Sequence, residues 1–147
     1  MKPFVFSLEK ILTLRKFYED EAKMELGRAT GVFAEIESNL ISTAKEKARA
    51  ARAQFSPGNS VELIQQYMNY IVRLDNIEEQ LLLEKIKAEE AVEKAREIFI
   101  EASRERKVLD NLKEKRLKEY RKIKLDYETK TLDDISSGVL ARITATA

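Results

Sequence analysis

The side chains on which this sequence could hang chemistry are carboxylates, lysines and arginines. Two acidic doublets, Glu89–Glu90 and Asp133–Asp134, could share a proton or a cation. A basic cluster, Lys113, Lys115, Arg116, Lys118, Arg121, Lys122 and Lys124, could hold an anion or an acidic surface. Neither doublet is joined by further acids at a repeating ligand spacing, so no metal site is expected. The sequence has Cys 0 and His 0. That removes disulfides, thiolate nucleophiles, cysteine zinc sites and iron–sulfur clusters. It also removes Ser-His-Asp triads, histidine metal sites and the usual general base near neutral pH. No phosphate-binding loop of the G-x-x-x-x-G-K-[ST] kind occurs, and Ser56–Pro57–Gly58–Asn59 is too short to cradle phosphates. The expectation is therefore no catalytic residue and no cofactor. What remains is the chemistry of docking, through charge and apolar surface.

The elements that must carry these groups are helices. Of 147 residues, 27 are Lys or Arg and 26 are Asp or Glu, so 36% are charged at a net charge of +1. With Gly 4 and Pro 2 there is little material for the turns of a β or βαβ fold. Charge well above the average with an ordinary apolar content points to long helices with a narrow apolar seam. Balanced signs and abundant Leu, Ile and Ala argue against disorder along the whole chain. The longest apolar runs, such as Leu81–Leu82–Leu83, are too short to span a membrane, and the start has no apolar region long enough for a secretion signal. The reading at this level is a soluble, cytoplasmic protein.

One turn is legible, Ser56–Pro57–Gly58–Asn59–Ser60, in which Ser60 can cap the following helix. Ser7 can cap a first helix in the same way. A single hairpin over 1–147 follows, with helix 1 over about 8–54, a turn at 56–60, helix 2 over about 61–135 and a frayed tail at 136–147. Apolar residues at steps of three or four mark the seam. On helix 1 they run Ala22, Leu26, Ala29, Phe33, Ile36, Leu40, Ala44, Ala48, Ala51 and Phe55. On helix 2 they run Ile64, Tyr67, Ile71, Leu74, Ile77 and Leu81, then Ala88, Val92, Ala95, Phe99, Ala102, Leu109 and Leu112.

So short a connection makes an antiparallel coiled-coil hairpin the natural arrangement. Opposed residues then have numbers summing to about 116, which sets Ser7 against the region of Leu109. Helix 2, the longer, overhangs helix 1 beyond about residue 110. The charge is unevenly shared: residues 61–112 hold 8 basic and 12 acidic side chains, and residues 113–147 hold 9 and 6. The basic excess therefore lies on the overhang. Tyr120 and Tyr127 are the only aromatics near it, so a protein partner is favoured over nucleic acid. Gly27 and Gly31 stand at a spacing that would allow close helix approach or a local bend. Near the turn, Tyr70 and Val72 exceed what a two-helix seam needs and could form an exposed patch.

The N-terminal block carries a resemblance. Phe6–Ser7–Leu8–Glu9–Lys10–Ile11–Leu12–Thr13–Leu14–Arg15, followed by Glu19, Ala22 and Leu26, resembles the opening of the flagellar FliJ family. Leu112–Lys113–Glu114–Lys115, Tyr120, Glu128–Lys130 and Asp133–Asp134 are similar to that family's charged C-terminal half. The resemblance covers about residues 4–135, and it implies an all-α hairpin of two long helices. It further implies a non-enzymatic component of the flagellar type III export apparatus, lying in the cytoplasm against the inner membrane at the flagellar base.

Proteins of this family resemble the stalk of rotary ATP synthases. They bind the central pore of the hexameric export ATPase and promote its assembly and activity. They also engage the membrane export-gate protein and export chaperones. Carried onto this sequence, the ATPase-binding end comprises Phe6, Leu8, Leu12 and Arg15 with Lys115, Arg116, Lys118, Arg121 and Lys122. The gate-docking positions are Tyr70, Leu74, Ile77 and Leu81. The expected state is a monomer or weak dimer. Two other readings stay open. A prefoldin-like holdase would need strand-forming segments near 55–61, and a rotary-ATPase stalk subunit would need a globular domain between its helices; neither is visible.

Overall fold

In the computed structural model, which describes residues 1–146, the chain is all-α. Helices α1 (Glu9–Gln54) and α2 (Val61–Thr146) pack against each other, and α2 is the longer. The turn between them is built from its own residues. Gly58 takes φ of 87°, a left-handed conformation open to glycine without steric cost. The Asn59 side chain donates to the carbonyls of Ala53 (2.8 Å) and Gln54 (3.1 Å), satisfying two acceptors at the end of α1. Ser60 caps α2 as expected, its Oγ accepting from the Leu63 N–H at 3.2 Å. Ser7 does not cap α1. The first turn is closed by backbone bonds from Glu9 N to Phe6 O and from Leu12 N to Leu8 O. The Ser7 hydroxyl instead accepts from Arg116.

The chain divides into two compact units, Tyr18–Ala102 and Met1–Phe17 with α2 from Ser103 onward. In the first, the inward positions of α1 step by four and three through Ala22, Leu26, Ala29, Phe33, Ile36 and Leu40, as expected. They then continue to Thr43, Lys47 and Ala50, whereas the sequence reading followed Ala44, Ala48 and Phe55. Ala44 and Ala48 are exposed, and Phe55 is 80% exposed. A helix keeps its mean step of 3.5 whatever residues it meets, and alanine tolerates either face. Past Leu40, polarity therefore does not mark the inward face: Thr43 and Lys47 lie inward while Ala44 and Ala48 lie outward. The same correction applies on α2, where the inward position is Glu78 and Ile77 is 46% exposed.

Polar side chains enter this seam only in partnership. Lys47 pairs with Asp75 and lies 3.6 Å from Glu78. Lys85 sits 3.8 Å from Glu37 and 5.9 Å from the centre of the Phe33 ring. Among the described residues no buried side-chain polar atom lacks a hydrogen-bond partner. Such pairs select one register, because a slip of either helix separates the charges. Gly27 and Gly31 serve no close approach: a Cβ at either would meet nothing within 4 Å.

In the second unit the register differs from expectation. Ser7 meets Arg116 rather than the region of Leu109, Glu9 meets Lys113, and Lys2 and Phe4 meet Tyr120. Helical side chains tilt toward the N-terminus of their helix. In an antiparallel pair those of α1 lean away from the turn and those of α2 lean toward it. Both leans join residues of higher summed number than the backbone alone brings opposite. The non-helical residues before Glu9 add to this, since they can advance up to about 3.3 Å each against about 1.5 Å in a helix. The uncovered part of α2 thus begins after Tyr120, not after about residue 110. Every described residue from Arg121 to Thr146 is exposed.

Nor does α2 end near 135. It runs through Ser136–Ser137–Gly138 to Thr146, where a frayed tail was expected; Ala147 lies outside the described residues. One glycine inside a helix costs only about 1 kcal/mol relative to alanine. The Leu140, Ala141 and Arg142 that follow are good helix formers.

Candidate functional site

The terminal unit is organised around two buried side chains, Phe6 (5% exposed) and Leu12 (1%). Leu8 is half-buried beside them, and Arg15 is tied to Glu105 on α2. Four residues of the expected ATPase-binding end thus lie at the contact between α1 and α2, where they position the basic stretch opposite. Within that stretch the charges are not equivalent. Arg116 donates to Ser7 Oγ at 3.0 Å and stands 5.8 Å from the Phe6 ring centre. Lys113 pairs with Glu9 at 2.8 Å, and Lys118 with Glu114 at 2.9 Å. Lys115, Arg121 and Lys122 are exposed and have no ion-pair partner among the described residues. The cations free to meet a partner are therefore these three.

The uncovered arm also carries an apolar stripe that the sequence reading passed over. Leu125, Leu132, Ile135, Val139 and Ile143 are all exposed. At 3.6 residues per turn they fall within one sector of about 80°. Ile123 and Tyr127 lie elsewhere, continuing the side that faces α1 nearer the root. The steps of seven, three, four and four between the stripe residues were available in the sequence. Only Val139 and Ile143 lie in the tail expected to fray; Leu125, Leu132 and Ile135 fall within the expected helix, beyond the end of its expected seam at Leu112.

In the Tyr18–Ala102 unit the four expected gate-docking residues are dispersed. Leu74 is buried in the seam and Leu81 half-buried there; Ile77 is exposed. Tyr70 is half-buried, donates to Glu46 Oε1 at 2.9 Å, and has the Arg73 guanidinium 5.7 Å from its ring centre. A different set faces outward. Met68, Val72, Leu83 and Ile86 are exposed and fall within one sector of about 60° on α2, turned away from the seam. Of these, only Val72 was singled out from sequence.

Hydrogen bonds from Arg49 and then from Tyr70 hold the Glu46 carboxyl down at about 2, against an ordinary value of 4.5. The same bond to Glu46 raises the Tyr70 phenol, and the bond to Asp75 raises Lys47. A carboxyl depressed in the folded state contributes stability in full above its ordinary value and loses it as pH falls toward the depressed one. Acid unfolding should therefore carry a Glu46 contribution between pH 4.5 and about 2. In Glu46→Gln, thermal melts followed by circular dichroism should show a flatter pH dependence across that window. An unchanged acid limb in the variant would count against this role.

Among the described residues no group of three or more acidic side chains could hold a metal, and no helix is long and apolar enough to cross a membrane. The fold defines the class as an all-α protein of two long helices packed against each other in a coiled-coil hairpin. A family model described as "Flagellar FliJ protein" matches residues 4–142, and the chain belongs to that family. It is accordingly a non-enzymatic coiled-coil component of the flagellar export apparatus, associated with the export machinery, for which the family suggests a location at the flagellar base. No curated protein and no solved structure matches the chain.

Proposed function

We propose that the protein is a stalk of the export ATPase. Its terminal end enters the central pore of the hexamer, promotes assembly and activity of the ring, and couples it to the membrane export gate and to export chaperones. It works in the cytoplasm, peripheral to the inner membrane, as a monomer or weak dimer. The observation that carries this reading is the uncovered arm of α2, with Lys115, Arg121 and Lys122 unpaired at its root. A helical arm exposed on every face suits a partner that surrounds it. Tyr70, Leu74, Ile77 and Leu81 remain the gate positions that family likeness suggests. Their exposure favours Ile77 among them, the one of the four that is exposed.

The test uses the full chain with the purified export ATPase. Co-purification with the ring and a several-fold rise in ATP hydrolysis are the expected results. Absence of both sinks the proposal.

A further inference from the structure

Residues before Glu9 lie outside α1 and run along one side of α2. The Tyr120 hydroxyl donates to the Lys2 carbonyl at 2.6 Å, and the Phe4 ring lies 5.6 Å from the Tyr120 ring, tilted by 51°. Phe6 is buried and anchors the segment, while Lys2, Pro3 and Val5 are exposed. None of the N–H groups of residues 2–7 donates to another backbone group. The segment is thus fastened firmly at Phe6 and lightly beyond it, by one hydrogen bond and one ring contact. Segments with so few buried contacts and no backbone ladder open at low cost.

Tyr120 is also the last covered position on α2; Arg121, beside it, opens the stretch in which every described residue is exposed. A pore that encloses the arm touches all its sides, including the side on which residues 2–5 lie. While they remain in place they limit how far along α2 such a pore can pass. We propose that residues 2–5, hinged at Phe6, are a displaceable latch over Tyr120 that restrains entry of the arm into the export ATPase. This rests on the reading of the terminal end as the ring-binding surface.

The latch is opened by the pair of substitutions Phe4→Ala and Tyr120→Phe, which remove the ring contact and the hydrogen bond and leave Phe6 and Leu12 untouched. The sequence has Cys 0, so a nitroxide on Val5→Cys reports the mobility of the segment. Far-UV circular dichroism checks that helicity is kept, and Phe4→Ala alone provides a milder opening that retains the hydrogen bond. In the double variant the label should become mobile. Affinity for the hexameric ATPase should rise about fivefold, the factor that one hydrogen bond of typical net strength contributes.

A label already mobile in the otherwise unaltered chain, or unchanged by the two substitutions, overturns the latch. So does a mobile label with affinity equal to or below that of the parent. If the parent binds and the variant gains nothing, the latch alone is wrong. If neither binds the ring, the docking reading falls and the latch's role falls with it.

Discussion

Leu12→Ala is expected to lower the stability of the terminal unit by about 2–5 kcal/mol, the range for removing a buried leucine side chain. Leu12 is the only large side chain among the described residues that is fully buried, at 1% exposure. Much of the remaining core is Ala22, Ala50, Ala88 and Ala95, which bury little area each. In the terminal unit itself Leu12 and Phe6 are the buried apolar side chains among the described residues, with Leu8, Leu109, Leu112 and Leu117 half-buried. The contacts that align Arg15 with Glu105 and Glu9 with Lys113 depend on that packing. Urea denaturation should show the loss, and amide exchange should show it concentrated in residues 9–17 and the facing part of α2. Phe55→Ala is the control, because Phe55 is 80% exposed and surface changes stay within about 0.5 kcal/mol. A cost below about 1 kcal/mol for Leu12→Ala would mean that the site collapses freely.

Reversing the three unpaired cations, Lys115→Glu, Arg121→Glu and Lys122→Glu together, is expected to weaken binding to the export ATPase on the order of 100-fold. Each reversal at a partly screened surface costs on the order of 1 kcal/mol, and three such costs multiply in the dissociation constant. Folding should be almost unaffected, since none of the three side chains has an ion-pair partner among the described residues. Binding by the parent protein should also weaken as salt rises toward one molar, where screening shortens to about 3 Å, and the variant should lose that salt dependence. Measured affinity and stimulated ATP hydrolysis together give the answer. Parent-like values for the triple variant would falsify the assignment of these cations to the docking surface. The apolar stripe from Leu125 to Ile143 would then be the feature to alter next.

Several parts of the molecule were legible along the chain. The turn at Ser56–Ser60 is written in Pro, Gly and Asn, and Ser60 caps α2 as its position indicates. These are local effects, decided within a few residues by φ, by side-chain reach and by the missing Cβ of glycine. The two helices follow for the same reason, since breakers are scarce and apolar residues recur at helical steps. The basic excess of the last segment is a matter of counting. Even the family is recognisable in the block from Phe6 to Arg15, and it is borne out over residues 4–142.

Other features depended on what lies across from each residue. Whether Lys47 or Ala48 faces α2 cannot be read from α1, because both fit the inner side of a helix. Lys47 is inward because Asp75 and Glu78 are there to receive its charge. Glu78 and Ile77 exchange their apparent roles for the same reason. Arg116 and Lys115 are neighbours of like charge, yet one is engaged by Ser7 and Phe6 and the other is free. That difference follows from a register set by side-chain tilt and by the non-helical course of the first residues. Periodicity is a property of one chain segment, whereas facing is a relation between two. The helices, the turn and the charges were therefore present in the order of residues, while the identity of the exposed cations required the second helix to be in place.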